Sequence, residues 1–332
     1  MTVWVDVTAR ARGLAGRLLS VRRLTELAQS RDLHELATRL AALRNLPAPQ
    51  DTIHDARELE IAERRRAGGQ IRLLGQWAGA RAGLLAPLFE DEDCRAIRAA
   101  IRGAAAGTPA VERLSGLLPT PALPQRALTQ LVSSRNPAAV AALLVAFGNP
   151  YGPPLLVETS RQHPELFILE HVLAHTWVDR ARRAAARAGR AMRVYVERQI
   201  DLANCWSALL VAEHGFDGSV DDLFLDGGRL LPRDVFRLAT QSRSRTGARA
   251  LLDELVRQSP LAAATSRDPG AEERLRRALW REQRDIARLD PTGPAVIIEY
   301  WLRLRGEVEA VQRLIWGIAA AAPMETRTLV DS

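Results

Sequence analysis

The chain contains no lysine: all 46 of its basic residues are arginine. Aromatic residues make up only 5% and there are two cysteines, Cys94 and Cys205. No stretch is apolar enough to span a bilayer, since the longest apolar run, Ala138 to Phe147, falls well short of the ~18 residues a span requires. The first residues, Met1 to Arg12, lack the apolar core of a secretion signal. Two cysteines at unrelated helix positions give no disulfide framework and no metal-ligand spacing. These absences point to a cytoplasmic chain. The missing lysine reads as the imprint of genome base composition, because net charge speaks to solubility and association rather than to fold.

Catalytic signatures are missing as well. There is no G-x-S-x-G elbow, no C-x-x-C, and no lysine-bearing phosphate loop around Gly227-Gly228. Asp217, Ser219, Asp221, Asp222 and Asp226 resemble a calcium loop, but its sixth position would be Asp222 rather than glycine and its twelfth Gly228 rather than an acid. His171, His175 and Asp179 share one helical face beside Glu170, yet no further ligand cluster stands near; His163 precedes a proline. A polar flank on a packing helix accounts for them better than a metal site. No catalytic, cofactor-binding or metal-binding residue is expected.

What is present is helix. The 332 residues are 47% hydrophobic, ample for a large core, and Ala, Leu and Arg are good helix formers. Apolar residues recur at helical spacing, as in Leu33, Leu36, Leu40 and Leu43. Ser20 is placed to cap a helix over Arg22 to Leu27. Val3 to Val7 alternates like a strand but has no partner, and helix is expected there too. Proline and glycine punctuate the chain at Pro47 to Pro49, Gly68-Gly69, Pro119 to Pro124, Gly148 to Pro154, Gly215 to Gly218, Gly227-Gly228, Pro269-Gly270 and Pro291 to Pro294.

One pattern occurs three times. An acid is followed by apolar residues at +1, +4 and +8, starting at Asp93, Asp201 and Glu307, with separations of 108 and 106 residues. Asn204 belongs to the second copy; Ala96 and Ala310 stand at its place in the others. A turn flanked by leucines five apart follows two of the copies, at Leu118 to Leu123 and Leu225 to Leu230, the latter through Gly227 and Gly228. The spacing predicts three lobes, over about 1–150, 151–258 and 259–332, with the three acids at equivalent helix starts. Ile97, Ile101, Cys205, Leu209, Val311 and Ile315 would form a shared buried stripe. The strongest charge feature is the run Arg180, Arg182, Arg183, Arg187, Arg190 and Arg193. It suits a solvated hairpin tip best, with a contact to nucleic acid or anionic headgroups as the other reading.

In order and spacing these segments resemble the C-type subunits of the A/V-type rotary ATPases, a family that includes the d-type subunits of vacuolar enzymes. Thr8 to Leu14 is similar to the family's opening segment, Asp93 to Gly103 to its "D-x-x-N" helix, Glu197 to Asn204 to "E-x-x-I-D-x-x-N", and Leu225 to Leu230 to its "G-G-x-L" turn. Tyr300-Trp301-Leu302 with Glu307-Val308 follows the third helix, and Gly317, Pro323, Glu325 and Arg327 the tail. The resemblance implies an all-α funnel of three lobes about an axis, without cofactor or catalytic group. It implies a non-catalytic central-stalk component on the cytoplasmic face of a membrane complex. Its partners would be shaft subunits D and F and the proteolipid rotor ring, with Arg10, Arg12, Arg180, Arg183, Arg187 and Arg190 as possible partner or headgroup contacts. The alternative is an arginine-rich helical scaffold for nucleic acid or adaptor duty.

Overall fold

The structure is a computed structural model and describes residues 4–46, 55–162, 164–268 and 270–322. Val3, the break at Pro47 to Pro49, His163, Pro269, and the tail residues Pro323, Glu325 and Arg327 lie outside the described residues. The chain is all-α, and the described residues contain no strand.

The helices run in the order α1 (Val5–Ala15), α2 (Val21–Ala28), α3 (Leu33–Leu43), α4 (Ala56–Ala78) and α5 (Ala86–Ala106). Next come the short α6 (Ala110–Arg113), then α7 (Gln125–Val132), α8 (Pro137–Ala146), α9 (Gly152–Thr159), α10 (Leu166–Ala188) and α11 (Arg190–His214). The chain closes with α12 (Arg233–Gln241), α13 (Arg245–Val256), α14 (Ala271–Leu289) and α15 (Ala295–Ala319). Short polar residues mark several starts: Ser20 accepts from Arg23 N, Asp32 from Glu35 N, and Asn136 from Ala139 N.

Three antiparallel pairs of consecutive long helices form the frame: the packed hairpins α10–α11 and α14–α15, and the pair α4–α5, whose members meet at their turn and pack chiefly on α15 and α10. Pairing levels fix their directions. Glu170 meets Arg102 while Trp177 Nε1 donates to Pro87 O at 3.4 Å, so α10 runs antiparallel to α5. Tyr300 Oη donates to Gln70 at 2.7 Å while Arg66 reaches Glu307 at 2.5 Å, so α15 runs antiparallel to α4. The three hairpin tips, at Gly79–Leu84, Gly189 and Asp290–Pro294, therefore lie toward one end of the molecule. α1 ties two of them together: Asp6 pairs with Arg81 at 2.6 Å, and Arg12 donates to Pro291 O at 2.6 Å.

Two expectations need correction. Gly68-Gly69 does not break the chain; both residues lie inside α4. The glycine serves packing, because a Cβ on Gly68 would sit 2.8 Å from the Pro119 ring, too close to tolerate. Nor do the three acids start helices. Asp93, Asp201 and Glu307 lie in the interiors of α5, α11 and α15. The apolar pattern marks one turn of a buried face, and helix onset is set elsewhere, by Pro87, Gly189 and Pro294.

Ile97, Ile101, Cys205, Leu209, Val311 and Ile315 are all buried. They fall into two cores. The larger unites α1, α4, α5 and the helices from α7 to α15. The smaller joins the two ends of the chain: Leu24, Leu27, Leu36 and Leu40 of α2 and α3 pack on Val311, Leu314 and Ile315 of α15.

Candidate functional site

The three acids share a geometry: each is buried on a long helix and receives the chain just before a pair of short helices. Asp201 is fully buried and accepts from three successive backbone N–H groups, Arg229 (3.1 Å), Leu230 (3.0 Å) and Leu231 (3.2 Å), ahead of α12. One turn along α11, the Asn204 side-chain amide both donates to Leu225 O and accepts from Leu225 N, each at 2.9 Å. The Gly227-Gly228 turn fits because it is glycine. Gly227 has φ +110°, and a Cβ on Gly228 would overlap the Asp201 carboxylate.

Asp93 does the work with less. It accepts one hydrogen bond, from Thr120 Oγ1 at 2.5 Å, ahead of α7; Thr120 Oγ1 in turn accepts from Leu123 N at 2.9 Å. Burial pushes the Asp93 carboxyl up to about 7, against the Thr120 hydrogen bond and with help from the Glu90 and Glu92 charges. Glu307 accepts from Leu19 N at 2.5 Å, ahead of α2, across 288 positions of sequence. Its other oxygen meets Arg44 (3.1 Å) and Arg66 (2.5 Å), which also hold Glu63. Burial raises Glu307 although both guanidiniums oppose it. Ala96 and Ala310, at the Asn204 position of the other two copies, can hold no backbone.

A charged junction that the sequence pattern did not mark lies where the hairpins meet. Arg305 of α15, whose side chain is 12% exposed, reaches Glu92 (3.3 Å) and Asp91 (3.6 Å) of α5 and Glu309 (3.4 Å) of its own helix. Tyr195 of α11 donates to Asp91 at 3.1 Å. Burial alone would lower the Arg305 pKa, but Glu92, Glu309 and Asp91 hold it above its ordinary value. Arg198 of α11 pairs with Glu282 of α14 at 2.7 Å. Long-range ion partners carry no local periodicity, so only the position of Arg305 among the apolar residues of α15 could have hinted at this junction.

The arginines predicted as contacts divide. Arg180 is committed to Glu90 at 2.6 Å, Arg10 lies over the Trp77 ring at 5.4 Å, and Arg12 is held by Pro291 O. Arg183, Arg187 and Arg190 are exposed at the α10–α11 tip and have no ion pair among the described residues. Trp177 and Tyr195, the aromatics nearest this run in sequence, are buried and offer no stacking face.

His171 and His175 are occupied otherwise than by metal: their Nε2 atoms contact Leu223 O and Asp222 O, fastening the 3-10 turn Val220–Leu223. Burial holds His171 below its usual pKa. Cys94 and Cys205 are free, buried thiols. Between α5, α10 and α11 lies a cleft of about 360 Å³. Its wall on α11 carries Ala203, Trp206 and Leu210, and Trp206 is 48% exposed although its Nε1 is held by Ala264 O at 3.0 Å. No described helix is long and apolar enough to cross a membrane.

Comparison with curated proteins returned no match. The ATP synthase (C/AC39) subunit family model matches residues 7–328, which takes in all three acid-bearing hairpins, both short-helix pairs after α5 and α11, and the N-terminal pair held by Glu307. With nearly its whole length accounted for in this way, the chain belongs to the ATP synthase (C/AC39) subunit family.

Proposed function

We propose that the protein is a non-catalytic rotor component of an A/V-type rotary ATPase, seated on the cytoplasmic face of the membrane between the central shaft and the proteolipid ring. The single observation that carries this reading is the family match over residues 7–328. The internal construction supports it. A part that passes torque must resist shear between its helices, and here each acid-bearing helix is fastened to a distant turn by buried hydrogen bonds. Such bonds are costly to break, because each buried donor left without an acceptor costs about 1–3 kcal/mol.

Two surfaces suit two partners. The apolar wall of α11 at Trp206 and Leu210 is the proposed seat for the shaft subunits D and F, since exposed tryptophans in a cleft make effective anchors. Arg183, Arg187 and Arg190 are proposed as contacts to the ring or its headgroups, guanidinium being well shaped for carboxylates and phosphates. One socket must sit on many identical ring subunits, and such unspecific electrostatic pairing tolerates that mismatch. A single-strand stacking platform is disfavoured at the basic tip, because Trp177 and Tyr195, the aromatics nearest it in sequence, are buried.

The experiment is purification of the whole ATPase with and without this chain. On the proposed role, preparations lacking it lose the link between soluble motor and ring, and ATP hydrolysis no longer drives ion transport. A complex that stayed assembled and pumped without it would overturn the reading.

A further inference from the structure

A cleft between α14 and α15, floored by Leu18 to Val21 and Leu24, has a volume of about 610 Å³ and a pronounced excess of cationic donors. α14 presents Glu273, Arg276, Arg277, Trp280, Arg281 and Arg284, which lie on one helical face. α15 presents Glu299, Arg303, Glu307 and Arg313. Two of the three carboxylates are already committed. Glu273 pairs with Arg276 and with Arg277 (2.8 Å), and Glu307 with Arg44 and Arg66. Arg276 also holds Glu309, crossing the helix pair over Gly306, where a Cβ would press its guanidinium at 3.3 Å.

Arg281, Arg284 and Arg303 remain without an ion pair among the described residues, with only Glu299 as an uncommitted acid beside them. Arg284 stacks on the Trp280 ring at 4.9 Å, which fixes its plane. Arg284 and Arg303 also line an adjoining hollow of about 480 Å³ with Arg12 and Arg288. Trp280 Nε1 and Arg284 Nε are shielded from solvent and make no hydrogen bond, while Arg313 Nη2 faces Glu273 at 3.8 Å. Arg281 is exposed and Arg284 and Arg303 are half-buried, so their guanidiniums can reach a ligand in the cleft, and a compact anion with several acceptor oxygens pairs with them together.

We propose that this cleft is a binding site for an oligophosphate group, held by Arg284 and Arg303 with Arg281 at its rim. The donor set is almost wholly cationic. Guanidinium forks match phosphate oxygens, and the space admits a small polyanion rather than a helix. The same chemistry can come from a free oligophosphate or from a phosphorylated lipid headgroup.

The test uses the full chain and two probes: sodium tripolyphosphate by calorimetry, and phosphatidylcholine vesicles with or without a polyphosphorylated phosphoinositide by co-sedimentation. Tripolyphosphate is expected to bind one to one, with Kd raised about tenfold or more in Arg284→Gln/Arg303→Gln through the loss of two charge-assisted pairs. The control Arg126→Gln/Arg135→Gln, two exposed arginines outside the cleft, is expected to bind as the parent does. If tripolyphosphate fails but phosphoinositide vesicles bind and lose binding in the cleft variant alone, the headgroup is the source and the site stands. Should the double variant not fold, Arg281→Gln on the exposed rim is expected to weaken binding severalfold by itself. The proposal falls if neither probe binds, if the cleft variant binds like the parent, or if both arginine pairs weaken binding equally, which marks diffuse charge rather than a site. None of these readouts depends on assembly of a rotary complex.

Discussion

Asp201 is surrounded by three backbone N–H donors, whereas Asp93 has one hydroxyl. Removing Asp201 strands three donors of a partly buried turn, so Asp201→Ala is expected to cost about 3 kcal/mol in denaturant unfolding. A loss below about half that would mean the turn finds water or another acceptor. Asp93 offers a pH signature instead. Its folded pKa, raised to about 7 by burial, exceeds that of an aspartate in the unfolded chain, so the folded state binds the extra proton between these values. The contribution of Asp93 is thus fully present below the unfolded pKa near 4 and is lost as pH rises through about 7. Asp93→Asn removes the titration while keeping a partner for Thr120. Stability of the variant relative to the parent should therefore rise between pH 5 and pH 8, by roughly 1–4 kcal/mol; a flat difference across that window would refute the assignment. The three acids were visible in the sequence through their spacing. Their partners were not, since the bonds of Asp201 run to backbone N–H groups, which any residue supplies.

Among the elements, α15 carries the most dissimilar neighbours. Its first half packs with α1 and α4 in the large core, and its second half supports α2 and α3 in the small one. Ile315 is fully buried there, and Ile315→Ala is expected to cost about 2–5 kcal/mol. Hydrogen exchange should localise that loss: amides of α2 and α3 should exchange faster while those of α10 and α11 keep their protection. Uniform loosening of the whole chain would show that the small core is not a separate cooperative unit. Leu209→Ala in α11 should cost a similar ~2–5 kcal/mol, but at the expense of the large core. Helical periodicity revealed the buried faces of α5, α11 and α15, because a 3.6-residue repeat is a local signal. It could not reveal that the short pair seated on α15 is α2–α3. That pair belongs to the other end of the chain, and a repeat read along the sequence assigns α15 nothing downstream. The same blindness made Gly68-Gly69 look like a break: the residue that needs the missing side chain, Pro119, is 51 positions away.

For the whole molecule, the proposed rotor role asks what would make three helix pairs move as one body. The junction at Arg305 joins α15 to α5 directly and to α11 through Asp91 and Tyr195. Charges in such a place are sensitive to loss of a partner. Removing one member of a buried pair leaves the other uncompensated, at about 3–5 kcal/mol, whereas replacing both by apolar groups of similar size can be neutral. Arg305→Met should therefore destabilise strongly, and Glu92→Met/Arg305→Met should recover part of that loss, with the remainder reflecting Asp91 and Glu309. If the double variant is no more stable than the single one, Glu92 is not the principal partner. The recovered protein then separates stability from coupling. It folds, but its hairpins are held by apolar packing, which is not directional, instead of by oriented ion pairs. Within the assembled rotary complex it is expected to sustain ATP hydrolysis near the parent rate while transporting fewer ions per ATP. A parent-like ratio of transport to hydrolysis in the double variant would show that the ion-pair junction matters for folding alone.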